Sequence, residues 1–356
     1  MEKRQFVSDL HNKDEVESFF LVKYIAVMAG RDGRSYLNLV LADSSGDLEA
    51  RRWSHAEESF KRVQKGSYVK VKGKINLYQS RFQLIVKDLV PIPADSVKPE
   101  DYLRQSQSDP ERMFEELLTI ADQMGDCYLR DLLQMVLMDA EIKRRLTLWP
   151  AGKSIHHAFT GGLLEHILSC ARLAMLITPN YQEVNRDYVV AGAVLHDICK
   201  IYELSDGPVV EYTDEGRLVG HLVNGVQLLD RFISKMPHFP SQSKMHLEHI
   251  LVSHHGSLEH GSTKPPQTRE AQLVHFIDLI DSQMNSFQTA IENDRGNSDW
   301  TGYIKHLDRM LYKGKLRSIS QPLELEGGDD EGGTPKVKAE GSPTHSMADQ
   351  LKNFKV

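Results

Sequence analysis

Seven side chains in this sequence have the chemistry to hold divalent cations: His166, His196, Asp197, His221, His254, His255 and Asp278. Each interrupts an apolar run that should face inward. His166 lies in GGLLEHIL, His196 and Asp197 in AVLHDICK, His221 in GHLVNG, His254 and His255 at the end of ILVSHHG, and Asp278 in HFIDLID. A buried carboxylate without a partner is strongly destabilising, so Asp197 and Asp278 require a strong one. A divalent cation would satisfy both carboxylates and several imidazoles together. One histidine on an apolar face is ordinarily a hydrogen-bonded core residue, and an HD dipeptide arises by chance. The ordered string carries the reading: a helical His, His-Asp with Lys200 three residues on, His, His-His, then Asp. Twelve of the 16 histidines fall between His156 and His275, and imidazole is the commonest transition-metal ligand.

The elements that must position these groups are helices. MFEELLTIADQM, YLRDLLQMVLMDAEIKRRLTLW, GGLLEHILSCARLAMLI, RDYVVAGAVLHDICKIYEL, HLVNGVQLLDRFISKM, SKMHLEHILVSHH, TREAQLVHFIDLIDSQMNSFQTAIEN and SDWTGYIKHLDRMLY all carry apolar residues at helical spacing,. Residues 113–320 therefore read as one all-α domain. Upstream the period changes from 3.6 to 2. In RSYLNLVLAD, Leu37, Leu39 and Leu41 share one face and Tyr36, Asn38 and Val40 the other. VESFFLVKYIAVM, DLEARRW, KGSYVKVKGKINLY and SRFQLIVKDLV supply four more strands, with HAEESFKRV as a helix between the third and fourth,. Five strands in that order predict an OB-fold barrel over 1–95. Residues 96–112 read as a linker. Residues 321–356, rich in Gly, Pro and acids, read as a disordered acidic tail.

At 356 residues the chain exceeds one ordinary domain,. No run of apolar residues is long enough to cross a bilayer, and MEKRQFVSDLHNKDE has no apolar core of a secretory signal,. Three cysteines without a CxxC pair exclude a disulfide framework,, so a cytoplasmic location is expected. The net charge of −7 argues against a nucleic-acid partner until the chain is divided. Residues 1–98 carry 17 Lys and Arg against 13 Asp and Glu, whereas 99–320 carry 22 against 30. The basic excess thus sits on the barrel. Arg51, Arg52, Lys70, Lys72, Lys74 and Arg81 interleave there with Tyr36, Trp53, Tyr78 and Phe82, the mixture that grips single-stranded nucleic acid. The candidates are Tyr36, Arg51, Trp53, Tyr78, Arg81 and Phe82; any one aromatic could equally fill the barrel core.

The histidine and aspartate string resembles the HD superfamily of metal-dependent phosphohydrolases in its two-metal form. HHAFTGGLLEH, LHDICK and HHGSLEHGSTKPPQTREAQLVHFIDLID are similar to the YhaM-type 3′–5′ exoribonucleases, which also join an OB domain to an HD domain. Cys199 stands where that family usually has Gly, and His260 where an aromatic residue is expected. The resemblance implies one metal on His166, His196, Asp197 and Asp278. It implies a second on His221, His254 and His255, with Asp197 bridging. Asp281, one turn beyond Asp278, is the rival for the last carboxylate. Mn²⁺ is the expected ion, with Fe²⁺, Co²⁺ or Zn²⁺ as alternatives. The catalytic candidates are Asp197, Lys200 and His157, the last contacting the scissile phosphate, protonating the leaving oxygen or serving structure alone. The expected activity is removal of nucleotides from single-stranded RNA, with DNA as a possible second substrate. The competing readings are a phosphohydrolase of small nucleotides or cyclic dinucleotides with a regulatory OB module, and a non-catalytic single-strand-binding adaptor. The sequence does not set the oligomeric state.

Overall fold

The computed structural model describes residue 3 and residues 5–30, 33–78, 81–153, 157–294 and 296–314. His156 and the expected tail lie outside the described residues. Five strands form a closed barrel: β1 Glu15–Ala29, β2 Ser35–Asp43, β3 Gly46–Arg52, β4 Tyr68–Tyr78 and β5 Arg81–Ile92. Helix α1, Ala56–Arg62, bridges β3 and β4. The order around the barrel is β1-β2-β3-β5-β4, with β3 and β5 parallel and the other pairs antiparallel. This is the OB-fold. Its core follows from the alternation: Leu37, Leu39 and Leu41 are fully buried, with Phe20, Val69, Val71 and Leu84 opposite them.

Residues 96–112 do not behave as a free linker. Val97 and Tyr102 are buried with Leu21 and Tyr68 of the barrel, and Val209 packs on the same cluster. Two single-turn 3₁₀ segments, Ala94–Ser96 and Pro99–Asp101, carry the chain across. The apolar side chains of this stretch are too widely spaced to show a period, yet two of them suffice to dock it.

The helical domain comprises α2 Pro110–Asp122, α3 Cys127–Leu137, α4 Ala140–Leu146, α5 Gly162–Ile177, α6 Arg186–Leu195, α7 Lys200–Glu203, α8 Asp214–Leu218, α9 Gly220–Ile233, α10 Ser241–Ser253 and α11 Arg269–Asn293. Three expected helices differ from the structure. YLRDLLQMVLMDAEIKRRLTLW is two helices, because Asp139 accepts from the amides of Glu141 and Ile142 and starts a new one,. RDYVVAGAVLHDICKIYEL breaks at His196, where i→i−3 bonds from Ile198 to Leu195 and from Lys200 to Asp197 tighten the chain,. SDWTGYIKHLDRMLY is a β-hairpin: Trp300 pairs with Tyr312 and Ile304 with Arg309. Its aromatic and β-branched residues favour strands, and Gly302 weakens any helix.

Helix α6 runs through the middle of the domain against α5, α10 and α11, with eight of its ten residues buried. Gly192 permits the close approach: a Cβ there would lie 2.7 Å from Ile250 Cγ2 and 2.9 Å from Val274 Cγ2. One turn later the helix delivers His196. Replacing Gly192 with Val should overpack this crossing and lower stability by about 1–3 kcal/mol. Denaturant unfolding followed by helical circular dichroism would measure this, and an unchanged midpoint would show that the helices can separate without loss.

Candidate metal centre

Five elements converge on one buried spot. Helix α5 brings His166, the end of α6 brings His196 and the turn after it Asp197. The start of α9 brings His221, the end of α10 His254 and His255, and the middle of α11 Asp278. All seven residues that the sequence singles out as metal-holding are thereby brought together. His166, His196, Asp197 and Asp278 each direct one donor atom into a group whose members lie within 4.8 Å of one another. Asp197, His221, His254 and His255 form a second such group. Asp197 belongs to both.

The fit to a cation rests on polar atoms that the protein leaves unsatisfied. Asp197 Oδ1, His221 Nε2, His254 Nε2 and His255 Nδ1 are buried without a hydrogen-bond partner, yet they face each other, with His221 Nε2 3.3 Å and His254 Nε2 3.7 Å from Asp197 Oδ1. Four such atoms in one place are costly unless something positive sits among them. In the other group His166 Nε2 and His196 Nε2 stand 3.2 Å apart, so a proton or another cation must lie between them.

The opposite ring nitrogens explain why the lone pairs point inward. His166 Nδ1 donates to Asp281 Oδ2 at 2.7 Å, and His221 Nδ1 to Glu203 Oε2 at 3.0 Å. His196 Nδ1 donates to the Ala193 carbonyl at 2.9 Å, and His254 Nδ1 to that of Leu251 at 2.8 Å. A proton fixed on Nδ1 leaves Nε2 free to ligate. The HD turn works the same way: the i→i−3 bonds swing Asp197 and Lys200 to one side, where Lys200 Nζ lies 2.6 Å from Asp197 Oδ2.

The electrostatics agree. Burial works against the charge on Asp197, but Lys200 and the surrounding imidazoles hold its carboxyl well below the usual range. Burial likewise opposes ionisation of Asp278, and His166 and His196 overcome it. Burial pushes His196 down to about 4 and His255 down to about 3, leaving both neutral at pH 7. Burial also opposes a charge on His166, yet Asp197, Asp278 and Asp281 hold that imidazole well above its usual value. The pull that retains a proton there is the pull a cation would feel. Cys170 Sγ lies 3.8 Å from His166 Nδ1, but burial raises its thiol to about 11, so it stays protonated and is a poor ligand,.

The geometry separates the two rival aspartates. Asp278 Oδ1 lies 3.4 Å from His166 Nε2, inside the cluster. Asp281 sits on the other side of the same ring, shared with His157 Nε2 at 2.9 Å and bonded to Ser169 Oγ. His157 is buried, with its backbone N–H on Asn285 Oδ1 at 2.8 Å. Sequence reasoning missed Glu203, Ser169 and Asn285. Glu203 stands three residues after Lys200 on the polar side of a segment read as helix, and only its contact with His221 marks it.

On the barrel, half-buried Tyr36 and Arg51 and exposed Trp53 and Tyr78 form one surface cluster. The Tyr36 and Trp53 rings are 4.7 Å apart, and the Arg51 guanidinium lies 5.4 Å from Tyr36 and 5.5 Å from Tyr78. Arg81 is exposed, 3.6 Å from Glu49. Phe82 is half-buried against the barrel core. The lysines of β4 do not add a free basic groove. The register sets Lys72 opposite Glu17 and Lys74 opposite Glu15, and Lys70, Lys72 and Lys74 each meet one of these glutamates within 3.7 Å. Arg52 points inward and is buried. No helix among the described residues is long and apolar enough to cross a membrane.

Comparison with known proteins agrees with both modules. Residues 163–283 match the HD domain model, and residues 21–92 match the model of an OB-fold nucleic acid binding domain. The chain is 31% identical over 280 residues to the 3′–5′ exoribonuclease YhaM of Oceanobacillus iheyensis, covering 78% of this chain and 87% of that one. It is 33% identical to the YhaM of Listeria welshimeri, over 83% of this chain and 93% of that one. With the YhaM of Bacillus subtilis it shares 31% identity over 84% and 95%. With identity of this extent through both the barrel and the helices that carry the seven converging side chains, the chain belongs to the YhaM family of 3′–5′ exoribonucleases.

Proposed function

We propose that this chain is a metal-dependent hydrolase that shortens single-stranded RNA from its 3′ end, cutting in the helical domain and holding the strand on the barrel. The observation that carries the reading is the convergence of buried, unpartnered donor atoms around Asp197. The direction of degradation and the preference for RNA follow the names of the relatives. The three cysteines are free thiols, which suits a reducing cytoplasm,.

His166, His196, Asp197 and Asp278 would hold one divalent cation, and Asp197, His221, His254 and His255 a second. A set of imidazoles and carboxylates suits Mn²⁺ first, and Fe²⁺, Co²⁺ or Zn²⁺ as well. Such ions acidify a water to near-neutral pKa and draw charge from phosphoryl oxygens. The protein's own groups do the rest. Asp197 remains ionised and ties the two halves of the site together. Lys200, held against it at 2.6 Å, is placed to offset charge developing on the phosphoryl group,. Glu203 and Asp281 fix the tautomers of His221 and His166. His157 has its Nε2 bonded to Asp281 inside the protein, which supports a positioning role over proton transfer to the leaving oxygen.

On the barrel, Tyr36, Trp53 and Tyr78 offer stacking faces and Arg51 a phosphate contact between them. Base stacking contributes about 1–3 kcal/mol per base, and a tethered platform raises the local concentration of strand at the cutting site.

Three outcomes test this reading. Asp197→Ala should abolish shortening of a 5′-labelled oligoribonucleotide in Mn²⁺ while the protein still retards it in a gel. Intact RNA beside hydrolysed mononucleotide, from the unsubstituted protein, would instead identify a small-nucleotide phosphohydrolase. Retardation with no cutting would identify an adaptor. Glu203→Ala should weaken metal binding by roughly 10–100-fold, measured as metal retained on dialysis, with activity recovered by excess Mn²⁺. The double variant Tyr36→Ala/Arg51→Ala should bind RNA about tenfold more weakly and lower the slope of log affinity against log salt by about 0.7. An unchanged slope would remove Arg51 from the phosphate path.

A further inference from the structure

The hairpin after α11 has no part in the metal site or the barrel, yet it repeats the barrel's surface chemistry. Its two arms alternate where they meet at Thr301 and Leu311. These two turn inward, 3% and 4% exposed, and are tied by Thr301 N–H to the Leu311 carbonyl at 2.8 Å and Leu311 N–H to Thr301 Oγ1 at 2.9 Å. Trp300 and Tyr312 beside them therefore turn outward, 51% and 44% exposed,. Tyr303, nearer the turn, is 62% exposed although it shares the parity of Thr301. Trp300 and Tyr312 are cross-strand partners with ring centroids 5.3 Å apart, as Tyr36 and Trp53 are ring neighbours on the barrel.

Cations stand beside these rings. Lys305, His306 and Arg309 are exposed around the turn. Among the described residues no carboxylate lies within ion-pair distance of Lys305 or Arg309. Of the acids in this region, Asp308 accepts from the Tyr303 hydroxyl and Asp294 holds Lys313 at 2.6 Å, while Asp299 is exposed and makes no ion pair among the described residues. On β4, by contrast, Lys70, Lys72 and Lys74 each contact a glutamate, although two carboxylates are shared among them and Lys87. Exposed aromatic faces with unmatched cations are complementary to one class of ligand, a polyanion whose bases are unstacked.

The hairpin is also placed on the substrate's side of the problem. Helix α11 carries Asp278 in its middle and feeds the hairpin from its end. The helical rise sets Asn293 roughly 22 Å beyond Asp278. There Arg104 donates to Asn293 Oδ1 at 2.9 Å and to the Ser45 carbonyl at 3.5 Å, so α11 ends beside the β2–β3 turn of the barrel. The Tyr36 cluster lies at the far end of β2, seven residues from Asp43 and so roughly 23 Å away. The hairpin is therefore a separate surface and not an edge of the barrel cluster.

We propose that the hairpin at residues 299–313 is a second single-strand platform, on which unstacked bases of an RNA substrate lie against Trp300, Tyr303 and Tyr312 while Lys305 and Arg309 hold adjacent phosphates. The proposal rests on the reading of the chain as an enzyme of single-stranded RNA.

Fluorescence anisotropy of a fluorescein-labelled 20-nucleotide oligouridylate tests it, using the full chain with Mn²⁺ and with Asp197→Asn in every sample to spare the RNA. Trp300→Ala/Tyr312→Ala should bind about tenfold or more weakly. Lys305→Ala/Arg309→Ala, confined to the exposed turn, should keep its melting temperature and lower the slope of log affinity against log salt by about 1.4. Full affinity and an unchanged slope in both variants overturn the hairpin platform while leaving the RNA hydrolase intact, provided the unsubstituted protein shortens the same oligomer. Failure of the unsubstituted protein to bind or cut the oligomer overturns both. Variants that bind RNA normally but fall from dimer to monomer in size-exclusion chromatography would assign the hairpin to a second copy of the chain, which also overturns the proposal.

Discussion

The Asp197 carboxylate is the constraint on which the helical domain is built. It is 2% exposed, ionised, and ringed by imidazoles of which several present lone pairs and no proton. Lys200 supplies one positive charge at 2.6 Å, and it reaches only one of the two oxygens. The other, Oδ1, is left among His221, His254 and His255 with no hydrogen bond. Burying an ion this way is unfavourable unless a compensating charge joins it. A site that is electrostatically incomplete as a protein becomes complete with metal, so metal binding and domain stability should be linked by mass action.

The helices answer that constraint with neutral, oriented ligands and not with additional acids. Four of the five clustered histidines have the far ring nitrogen tied to an oxygen within 3.0 Å: a backbone carbonyl for His196 and His254, the Asp281 carboxylate for His166 and that of Glu203 for His221. The two carbonyls belong to the same helices as the histidines they orient, three residues earlier, so helix ends double as scaffolding. Asp281 goes further. One oxygen serves both His157 and His166, and through His157 it ties the segment entering α5 to α11. The chain entering α5 at Gly162 is itself pressed against the His157 carbonyl, where no side chain would fit.

The ligands were legible because each is a polar interruption of an apolar face, which has few explanations. The five-strand barrel was legible through the alternation of Leu37, Leu39 and Leu41. What encloses the ligands was not. Glu203 and Ser169 look like ordinary surface residues until the fold sets them against His221 and Asp281. Cross-strand register was equally hidden: nothing in KGSYVKVKGK says that Glu15 and Glu17 will stand beside its lysines. The 300–312 segment misled for the opposite reason. Its apolar residues satisfy a helical period and a strand period at once, and periodicity cannot arbitrate when the outward-facing residues are themselves aromatic. Local preference decided it, with Trp300, Thr301, Ile304 and Tyr312 all better suited to extended backbone.

Glu15 and Glu17 temper the charge of the β4 lysines without cancelling it. A groove lined with free lysines would attract any polyanion and release it only at high salt. With those lysines partly engaged, a strand laid on Tyr36, Trp53 and Tyr78 around one arginine would be held largely by stacking, which tolerates any base and depends less on salt. Such a hold would suit removal of nucleotides from a strand's end, because the strand must advance after each cut. Strong phosphate clamps would oppose each step, whereas stacked bases can hand over from ring to ring. The acidic surface of the helical domain acts in the same direction. Its net negative charge discourages nonspecific backbone contacts, so attraction concentrates at the buried site, where bound cations outweigh the surrounding acids.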